Sequence, residues 1–215
     1  MRILLIGAPG SGKGTQSKLI SKKYHILNIS IGEILRESIK EKTELGKKIK
    51  SFVDNGKLIS DEIIINLVKN RISQIDCKSG FVLDGFPRTI IQAKTICKKE
   101  IIVDYIFELK IPIEMTINRI LKRKTKFFTS KSINHENDKK IYLKKHKNLM
   151  YRKDDSEEII KIRLQEYKKF TQSLTTYLIS NLKEKKIKFY EIDGTQSILN
   201  VKKNIKKFLK IENFP

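Results

Sequence analysis

A glycine-rich segment near the start of the chain has the composition and spacing of an anion-binding loop. Gly7 and Gly12 are separated by four residues, Lys13 follows directly, and Thr15 supplies a hydroxyl two positions later. Glycine lets the backbone turn tightly enough for successive N–H groups to point at one anion, and a helix beginning near Lys13 would add its positive end. The spacing matches the phosphate-loop rule, in which the lysine reaches the phosphates and a hydroxyl lies near Mg2+, except that Gly14 replaces the usual Ser or Thr.

A carboxylate and the few arginines of the chain are further candidates for binding Mg2+ and phosphate. Asp84 follows the apolar run 81–83, so a parallel sheet would present it to a ligand at the carboxyl end of a strand. A carboxylate in that position suits Mg2+ held through water in phosphoryl transfer. The chain has 38 Lys and 8 Arg. Because Lys cannot replace the planar guanidinium fork, each arginine is a candidate for gripping phosphate or carboxylate: Arg2, Arg36, Arg71, Arg88, Arg119, Arg123, Arg152 and Arg163.

The elements that would position these groups alternate along the chain. Apolar runs predict strands at 2–6, 81–83, 103–109 and 188–192. Helical patterns predict helices at 33–54, 61–75 and 113–123, and a long helix that begins at the acidic cap 154–158 and reaches residue 182. Three further helices are predicted after the glycine-rich loop, after Thr89 and at the C-terminal end. Strands that alternate with helices predict an α/β fold in which a parallel sheet is covered on both faces.

Composition excludes several classes of protein. No apolar run approaches the roughly 18 residues of a membrane helix, and the apolar start is too short for a signal peptide, so a cytoplasmic protein is expected. Cys77 and Cys97 form no CxxC motif, which argues against a disulfide framework or a cysteine zinc site. The formal charge of +22 invites a nucleic-acid-binding interpretation. However, the excess of Lys, Ile and Asn is typical of compositional drift, and no nucleic-acid-binding motif is present.

Several segments together resemble the adenylate kinase family of nucleoside monophosphate kinases, in its long-lid bacterial type. They occur in family order over nearly the whole chain: Gly7-Ala8-Pro9-Gly10-Ser11-Gly12-Lys13-Gly14-Thr15, Gly56-Lys57-Leu58-Ile59-Ser60-Asp61-Glu62, Leu83-Asp84-Gly85-Phe86-Pro87-Arg88-Thr89 with Gln92, Arg152-Lys153-Asp154-Asp155, Arg163-Leu164-x-x-Tyr167 and Asp193-Gly194-Thr195. The resemblance implies a three-layer P-loop kinase fold with a central five-stranded parallel sheet. It also implies a single domain over 1–215, with its core at 1–29, 60–121 and 156–215, an AMP-binding insertion at 30–59 and a lid insertion at 122–155.

The same resemblance implies two nucleotide sites. The ATP site would contain Gly10, Ser11, Gly12, Lys13, Gly14, Thr15, Arg119, Arg123, Ser132, Ile133 and Gln196. The AMP site would contain Ile31, Arg36, Lys57, Leu58, Ile59, Gly85, Phe86, Pro87, Arg88, Gln92, Arg152 and Arg163. The catalytic positive charge would come from Lys13, Arg88, Arg123, Arg152 and Arg163. Mg2+ bound with ATP would contact Asp84, and also Glu33, through water.

The chain departs from the family pattern at three places. Ile31 stands where a Thr usually contacts AMP, which removes one hydroxyl, and Glu33 stands where Asp is common. The lid segment 127–135 lacks the glycine of the usual hairpin, so Ser132 and Ile133 align with ATP contacts only if no gap intervenes. The lid also lacks the four-cysteine pattern, so no structural zinc is expected. Eleven basic and two acidic residues give 122–152 a net charge of +9, which would face the nucleotide phosphates.

The resemblance implies a reversible reaction in which ATP and AMP give two ADP. The expected enzyme is a monomer whose partners are ATP, AMP and ADP, with no membrane and no specific nucleic acid among them. Three alternatives stay open: a related kinase with UMP, CMP or a GTP/AMP pair as substrates, a basic nucleic-acid-binding protein, and a switch GTPase. Gln92 and the long lid favour AMP over other acceptors, and the chain has no Asn-Lys-x-Asp segment for reading guanine.

Overall fold

A five-stranded sheet forms the centre of the computed structural model, which describes residues 1–129, 156–182 and 186–210. Its strands are β1 (Arg2–Gly7), β2 (Leu27–Ser30), β3 (Phe81–Asp84), β4 (Tyr105–Lys110) and β5 (Lys188–Asp193). They lie in the order β2-β3-β1-β4-β5, and every pairing is parallel. All five carboxyl ends therefore meet at one edge of the sheet, where an open α/β fold binds its ligands.

Helices connect the strands and cover both faces of the sheet. They are α1 (Lys13–Tyr24), α2 (Ile31–Lys40), α3 (Glu44–Asp54), α4 (Asp61–Ile72), α5 (Ile90–Cys97), α6 (Ile113–Thr129), α7 (Glu157–Glu166), α8 (Gln172–Leu182) and α9 (Ile198–Lys210), with a π-helical turn at Tyr167–Thr171 between α7 and α8. Within the described ranges, no helix combines the length and apolar character needed to span a bilayer.

The apolar core lies in two layers, one on each face of the sheet. On one face, Ile3 and Leu5 of β1 pack with Ile20 of α1 and with Val201 and Ile205 of α9. The other face packs against helices α4, α5 and α8 through a cluster that includes Leu4, Ile6, Ile64, Val68, Ala93, Ile96, Leu174 and Leu178. Because the central strands are buried on both faces, they read as continuous apolar runs in the sequence. The structure thus has the three-layer α/β architecture that the resemblance implied.

The region between β1 and β3 differs from the sequence prediction in two ways. Strand β2 was not predicted from the pattern, because its four residues, Leu27–Ser30, include two polar ones. The helix predicted over 33–54 is two helices, since Lys42 adopts a positive φ of 55° and Thr43 caps α3 by accepting a hydrogen bond from the backbone of Gly46. A Cβ at Gly46 would lie 2.0 Å from the Ser38 carbonyl oxygen, so glycine permits α2 and α3 to pack this closely.

Other predicted boundaries shift by a few residues. The helix predicted over 61–75 ends at Ile72 and is followed by a short 3-10 turn, Ile75–Cys77. The strand predicted over 103–109 is Tyr105–Lys110, and the helix predicted over 113–123 extends to Thr129. The long helix predicted to reach residue 182 begins after Ser156, which caps it, but the π-helical turn at Tyr167–Thr171 interrupts it. No simple sequence signal marks such a turn.

Candidate active site

A cleft of about 1160 Å³ opens at the carboxyl edge of the sheet. Its walls are the glycine-rich loop, the start of α2, the segment 56–59, the turn after β3, and residues of α7 and the π-helical turn. Sites for a single small ligand usually measure about 300–1,000 Å³. The cleft is therefore somewhat larger than a site of that kind.

The glycine-rich loop connects β1 to α1 and lines one side of the cleft. Gly10 and Gly12 adopt positive φ angles of 81° and 102°, and a Cβ at Gly10 would meet the Thr116 carbonyl oxygen at 2.8 Å. Lys13 is the first residue of α1, and its Nζ donates hydrogen bonds to the carbonyl oxygens of Gly7 at 2.7 Å and Ala8 at 2.8 Å. The ammonium group and the positive end of α1 thus lie together at the loop, an arrangement that binds phosphate.

Asp84, the last residue of β3, faces the first turn of α1. Its Oδ2 would lie 3.3 Å from a Cβ built on Gly14. A larger side chain at position 14 would push this carboxylate away, which gives a physical reason for glycine where the motif usually has Ser or Thr. Both Asp84 and Thr15 line the cleft, so a carboxylate and a hydroxyl are available beside the loop.

Arg119 on α6 connects the glycine-rich loop to the turn after β5. Its Nη1 donates to the Ser11 carbonyl oxygen at 3.5 Å, and its Nη2 donates to the Thr195 carbonyl oxygen at 3.2 Å. In that turn, Asp193 accepts hydrogen bonds from Thr195 and from Nε2 of Gln196, and these bonds lower the pKa of the Asp193 carboxyl. Arg119 and Gln196 therefore lie on the same side of the cleft as the loop.

A second group of polar residues lies in the turn after β3 and at the start of α5. Gly85 has a φ of 92°, and its carbonyl oxygen accepts a hydrogen bond from Nε of Arg88 at 2.9 Å. The backbone N–H of Arg88 donates to Oε1 of Gln92 at 2.8 Å, and Nε2 of Gln92 donates to Oδ1 of Asp61 at 2.8 Å. Gln92 is only 2 % exposed, so these bonds fix its amide at the wall of the cleft.

The segment 56–59 packs against α7 at the edge of this second group. A Cβ at Gly56 would lie 2.9 Å from Cγ of Arg163 and 2.9 Å from Cγ2 of Ile159, and Gly56 has a φ of 69°. The backbone N–H of Leu58 donates to Oε2 of Glu166 at 3.3 Å. Lys57, Leu58 and Ile59 line the cleft together with Arg163.

The start of α2 contributes Ile31, Glu33 and Arg36 to the cleft. Ile31 is 1 % exposed and belongs to the apolar cluster beneath the cleft, so its side chain faces the core more than the solvent. Glu33 forms an ion pair with Lys18, with 3.4 Å between Oε1 and Nζ, and both side chains are about half exposed. The guanidinium of Arg36 folds back over Gly32, with Nη1 3.3 Å from the position of a Cβ there.

The cleft thus brings together most of the residues that the sequence predicted for the two sites. Those that line it are Gly10, Ser11, Gly12, Lys13, Gly14, Thr15, Ile31, Arg36, Lys57, Leu58, Ile59, Gly85, Phe86, Pro87, Arg88, Gln92, Arg119, Arg163 and Gln196, with Asp84 and Glu33. Arg152, Ser132 and Ile133 lie outside the described residues, as does the side chain of Arg123 on α6.

Four polar residues of the site were not predicted as site residues. Glu166, Tyr167 and Thr171 line the cleft, and Asp61 accepts a hydrogen bond from the Gln92 amide. Burial, with a smaller contribution from the charge of Glu108, raises the pKa of Tyr167 to about 12. Asp61 belongs to the segment 56–62 that resembles the family, but the sequence assigns it no site role, whereas in the structure it accepts hydrogen bonds from Gln92 and Thr89.

The chain is similar to known proteins over nearly all of its length. A family model described as adenylate kinase matches residues 5–183. The adenylate kinase of Buchnera aphidicola subsp. Acyrthosiphon pisum is 46% identical over 215 residues, which cover 98% of this chain and 100% of the relative. The adenylate kinases of Buchnera aphidicola subsp. Schizaphis graminum and Photorhabdus laumondii subsp. laumondii are 44% and 42% identical, over 98% and 97% of this chain and 100% of each relative. The chain therefore belongs to the adenylate kinase family.

Proposed function

We propose that this chain is an ATP:AMP phosphotransferase that transfers the terminal phosphoryl group of ATP to AMP and gives two ADP. The observation that carries the proposal is one cleft with two differently built halves. The glycine-rich loop with Lys13 follows the central strand β1, and Arg36, Arg88 and Gln92 follow β2 and β3, which lie to one side of it. Two nucleotides bound with their phosphates facing each other would place donor and acceptor between these halves.

The donor half has the chemistry for a triphosphate. Backbone N–H groups of Gly10 to Thr15 and the Lys13 ammonium would bind the β- and γ-phosphates. Arg119 would lie against the adenine, supported by its hydrogen bonds to Ser11 and Thr195, with Gln196 beside it. Arg123, Ser132 and Ile133 are further proposed ATP contacts.

The acceptor half has the chemistry for AMP. The guanidinium forks of Arg36 and Arg88 would grip its phosphate, since a fork matches a phosphate with two parallel hydrogen bonds. Gln92 would read the adenine, and the segments 57–59 and 85–88, with Ile31, would frame the nucleotide. Glutamine suits this task because its fixed amide offers a donor and an acceptor side by side.

Catalysis would depend on positioning and on fixed positive charge. In phosphoryl transfer the moving group spreads negative charge over its oxygens, and no dedicated base is needed. Lys13, Arg88 and Arg163, together with Arg123 and Arg152, would supply the opposing charge. Water is the competing acceptor, so closing the cleft around both nucleotides would suppress hydrolysis.

The donor set beside the loop suits Mg2+ that arrives with ATP. Among the residues that the structure describes, no three His, Cys, Asp or Glu side chains gather into a metal-binding group. Mg2+ typically keeps several waters and takes only one or two carboxylates beside the nucleotide phosphates, so Asp84 would hold it through water, with Thr15 nearby and Glu33 as a second outer contact. When bound, the ion neutralises charge that develops on the phosphate oxygens.

We further propose the division of the chain into a core at 1–29, 60–121 and 156–215, an AMP-binding insertion at 30–59 and a lid at 122–155. The two helices α2 and α3 pack on each other within 30–59, which supports their treatment as one unit. The lid lies almost entirely outside the described residues. Membership of the family supports a cytoplasmic monomer, and the mass of the eluting species in gel filtration tests the oligomeric state.

A coupled assay of ADP formation tests the proposed activity. We expect ADP from ATP plus AMP, and none from either nucleotide alone or without Mg2+. Lys13→Met should reduce turnover by at least about a hundredfold. Lys22→Met removes an exposed ammonium from the same helix and should leave turnover unchanged. A panel of AMP, GMP, CMP and UMP identifies the acceptor, and a preference for any nucleotide other than AMP would contradict the proposal.

A further inference from the structure

The helical segment from Glu157 to Leu182 contains one irregular turn, and this turn lies at the cleft. The residues of the π-helical turn, Tyr167–Thr171, separate α7 from α8, and both Tyr167 and Thr171 line the cleft. A π-helical turn is rare and occurs frequently at functional sites.

Thr171, at the end of the turn, bonds to the backbone of an arginine far away in sequence. Its Oγ1 donates a hydrogen bond to the carbonyl oxygen of Arg88 at 2.8 Å, across a separation of 83 residues. Thr171 is 7 % exposed. A hydroxyl has one proton to donate, and in a helix threonine often donates it to a carbonyl one turn earlier. Here that proton is used for a tertiary contact.

This hydrogen bond adds to two local hydrogen bonds that Arg88 donates. The Arg88 N–H donates to Gln92, and its Nε donates to the Gly85 carbonyl oxygen. Both of these partners lie within four residues of Arg88, and Gln92 is held in turn by Asp61 at the start of α4. The hydrogen bond from Thr171 ties the turn to the helical layer.

We propose that Thr171 is a positioning residue for Arg88 and that the π-helical turn places the Thr171 hydroxyl against the Arg88 carbonyl oxygen. The proposal rests on the proposed function, in which Arg88 grips the AMP phosphate. Without the hydroxyl, the Arg88 carbonyl oxygen loses this hydrogen bond from the helical layer, and the guanidinium moves relative to the glycine-rich loop. A displacement of about 1 Å can reduce the rate of such a reaction about a hundredfold.

The chain offers a matched control one helical turn later. Oγ1 of Thr175, on α8, donates to Oε1 of the buried Glu108 at 2.9 Å. Thr171 and Thr175 thus make the same kind of bond from the same helical segment. Thr175 does not line the cleft and bonds no residue of the proposed site. Loss of either hydroxyl should destabilise the fold, but only the loss at 171 should disturb Arg88.

The experiment compares Thr171→Val, Thr171→Ser and Thr175→Val in the full chain. We expect Thr171→Val to lower kcat about 10- to 100-fold and to weaken AMP binding, measured by calorimetry, with the KM for ATP changed less than about twofold. Thr171→Ser should restore most of the turnover. Thr175→Val should show a comparable shift of the urea unfolding midpoint with kcat near the unsubstituted value. Equal kcat values for the two valine variants would overturn the proposal.

A second readout does not depend on activity. The Arg88 Nε–H resonance, assigned by its loss in Arg88→Lys, should move in Thr171→Val and stay in place in Thr175→Val. An unmoved resonance in Thr171→Val would overturn the positioning role even if the protein makes no ADP. Absence of ADP formation by the unsubstituted chain would instead reject the proposed function, so the two failures are distinguishable.

Discussion

Nε2 of Gln92 donates a hydrogen bond to Oδ1 of Asp61 at 2.8 Å, which joins the start of α5 to the start of α4. The same carboxylate oxygen accepts a bond from Oγ1 of Thr89 at 2.7 Å. The backbone N–H of Arg88 can only donate and the Asp61 oxygen accepts, so the NH2 group of Gln92 faces Asp61 and its Oε1 faces the Arg88 N–H. Asp61 thereby sets which edge of the Gln92 amide is left for the adenine that we propose it reads.

The first prediction concerns Asp61. In Asp61→Asn the new amide can present either its oxygen or its NH2 group, so the orientation of Gln92 is no longer imposed. A weakened hydrogen bond of about 0.5–1.5 kcal/mol corresponds to a rise of about 2- to 10-fold in the KM for AMP. Steady-state kinetics should show this rise with the KM for ATP unchanged. Glu62→Gln, at the exposed neighbouring position, is the control, and a KM for AMP that changes equally in both variants would contradict the assignment.

The second prediction concerns Arg88. We expect Arg88→Lys to keep the fold and to lose about a thousandfold or more in turnover, because one ammonium cannot reproduce two parallel hydrogen bonds to phosphate. Arg71→Lys is the matched control. Arg71 donates to both carboxylate oxygens of Asp76 at 2.9 Å, away from the cleft, so its replacement should affect stability alone. Turnover near the unsubstituted value in Arg88→Lys would defeat the role proposed for this arginine.

The third prediction concerns the apolar residue at position 31. Ile31→Thr should lower the KM for AMP about 2- to 10-fold, because it restores a hydroxyl at the cleft, and should leave the KM for ATP unchanged. Ile31 is 1 % exposed, so the substitution should also reduce the free energy of unfolding by about 1–3 kcal/mol. Ile31→Val removes a methylene group without adding a hydroxyl. An equal KM for AMP in the threonine and valine variants would show that position 31 does not contact the acceptor.

The fourth prediction concerns pH and the buried Glu108. Burial raises the pKa of its carboxyl above the ordinary 4.5, although the hydrogen bond from Thr175 opposes this change. The folded state therefore binds this proton more tightly than the unfolded state does. The resulting stability is fully present below pH 4.5 and is lost as the pH rises through the raised pKa.

In Glu108→Gln the side chain at this position cannot ionise. The free energy of unfolding of this variant should therefore increase relative to that of the unsubstituted chain as the pH rises. Urea unfolding at several values between about pH 4 and pH 8 measures this difference. Glu191→Gln is the control, because Glu191 is paired with Glu108 in the sheet register and is exposed. Parallel stability curves for Glu108→Gln and the unsubstituted chain would show that burial does not affect this carboxyl in the way described.

The architecture was predictable because the central strands are buried on both faces and leave unbroken apolar runs. The same logic failed at β2, where Asn28 and Ser30 interrupt a strand of four residues. The break between α2 and α3 depends on the backbone of Lys42, which adopts a left-handed conformation that its residue type does not announce. Tertiary packing decides both features.

The presence of residues at the cleft was predictable where chemistry constrains residue type, as for the glycine-rich loop, Arg88 and Gln92. The supporting residues were not, because a threonine or an aspartate on a helix has many common uses. Thr171 becomes informative only when its hydroxyl is found 2.8 Å from the Arg88 carbonyl oxygen, and the π-helical turn that places it there has no sequence signature. Long-range partners of this kind require the fold.

The strand order has an evolutionary consequence. Most of the proposed acceptor residues follow β2 and β3, on one side of the sheet, while the glycine-rich loop follows β1, and Thr195 and Gln196 follow β5. Under the proposed assignment, residues that contact only one nucleotide can accumulate mutations under separate selection, whereas the charged residues around the moving phosphoryl group serve both nucleotides. A lineage under strong compositional drift can exchange a residue such as Ile31 and alter its demand for one substrate, while the machinery that handles the other is inherited intact.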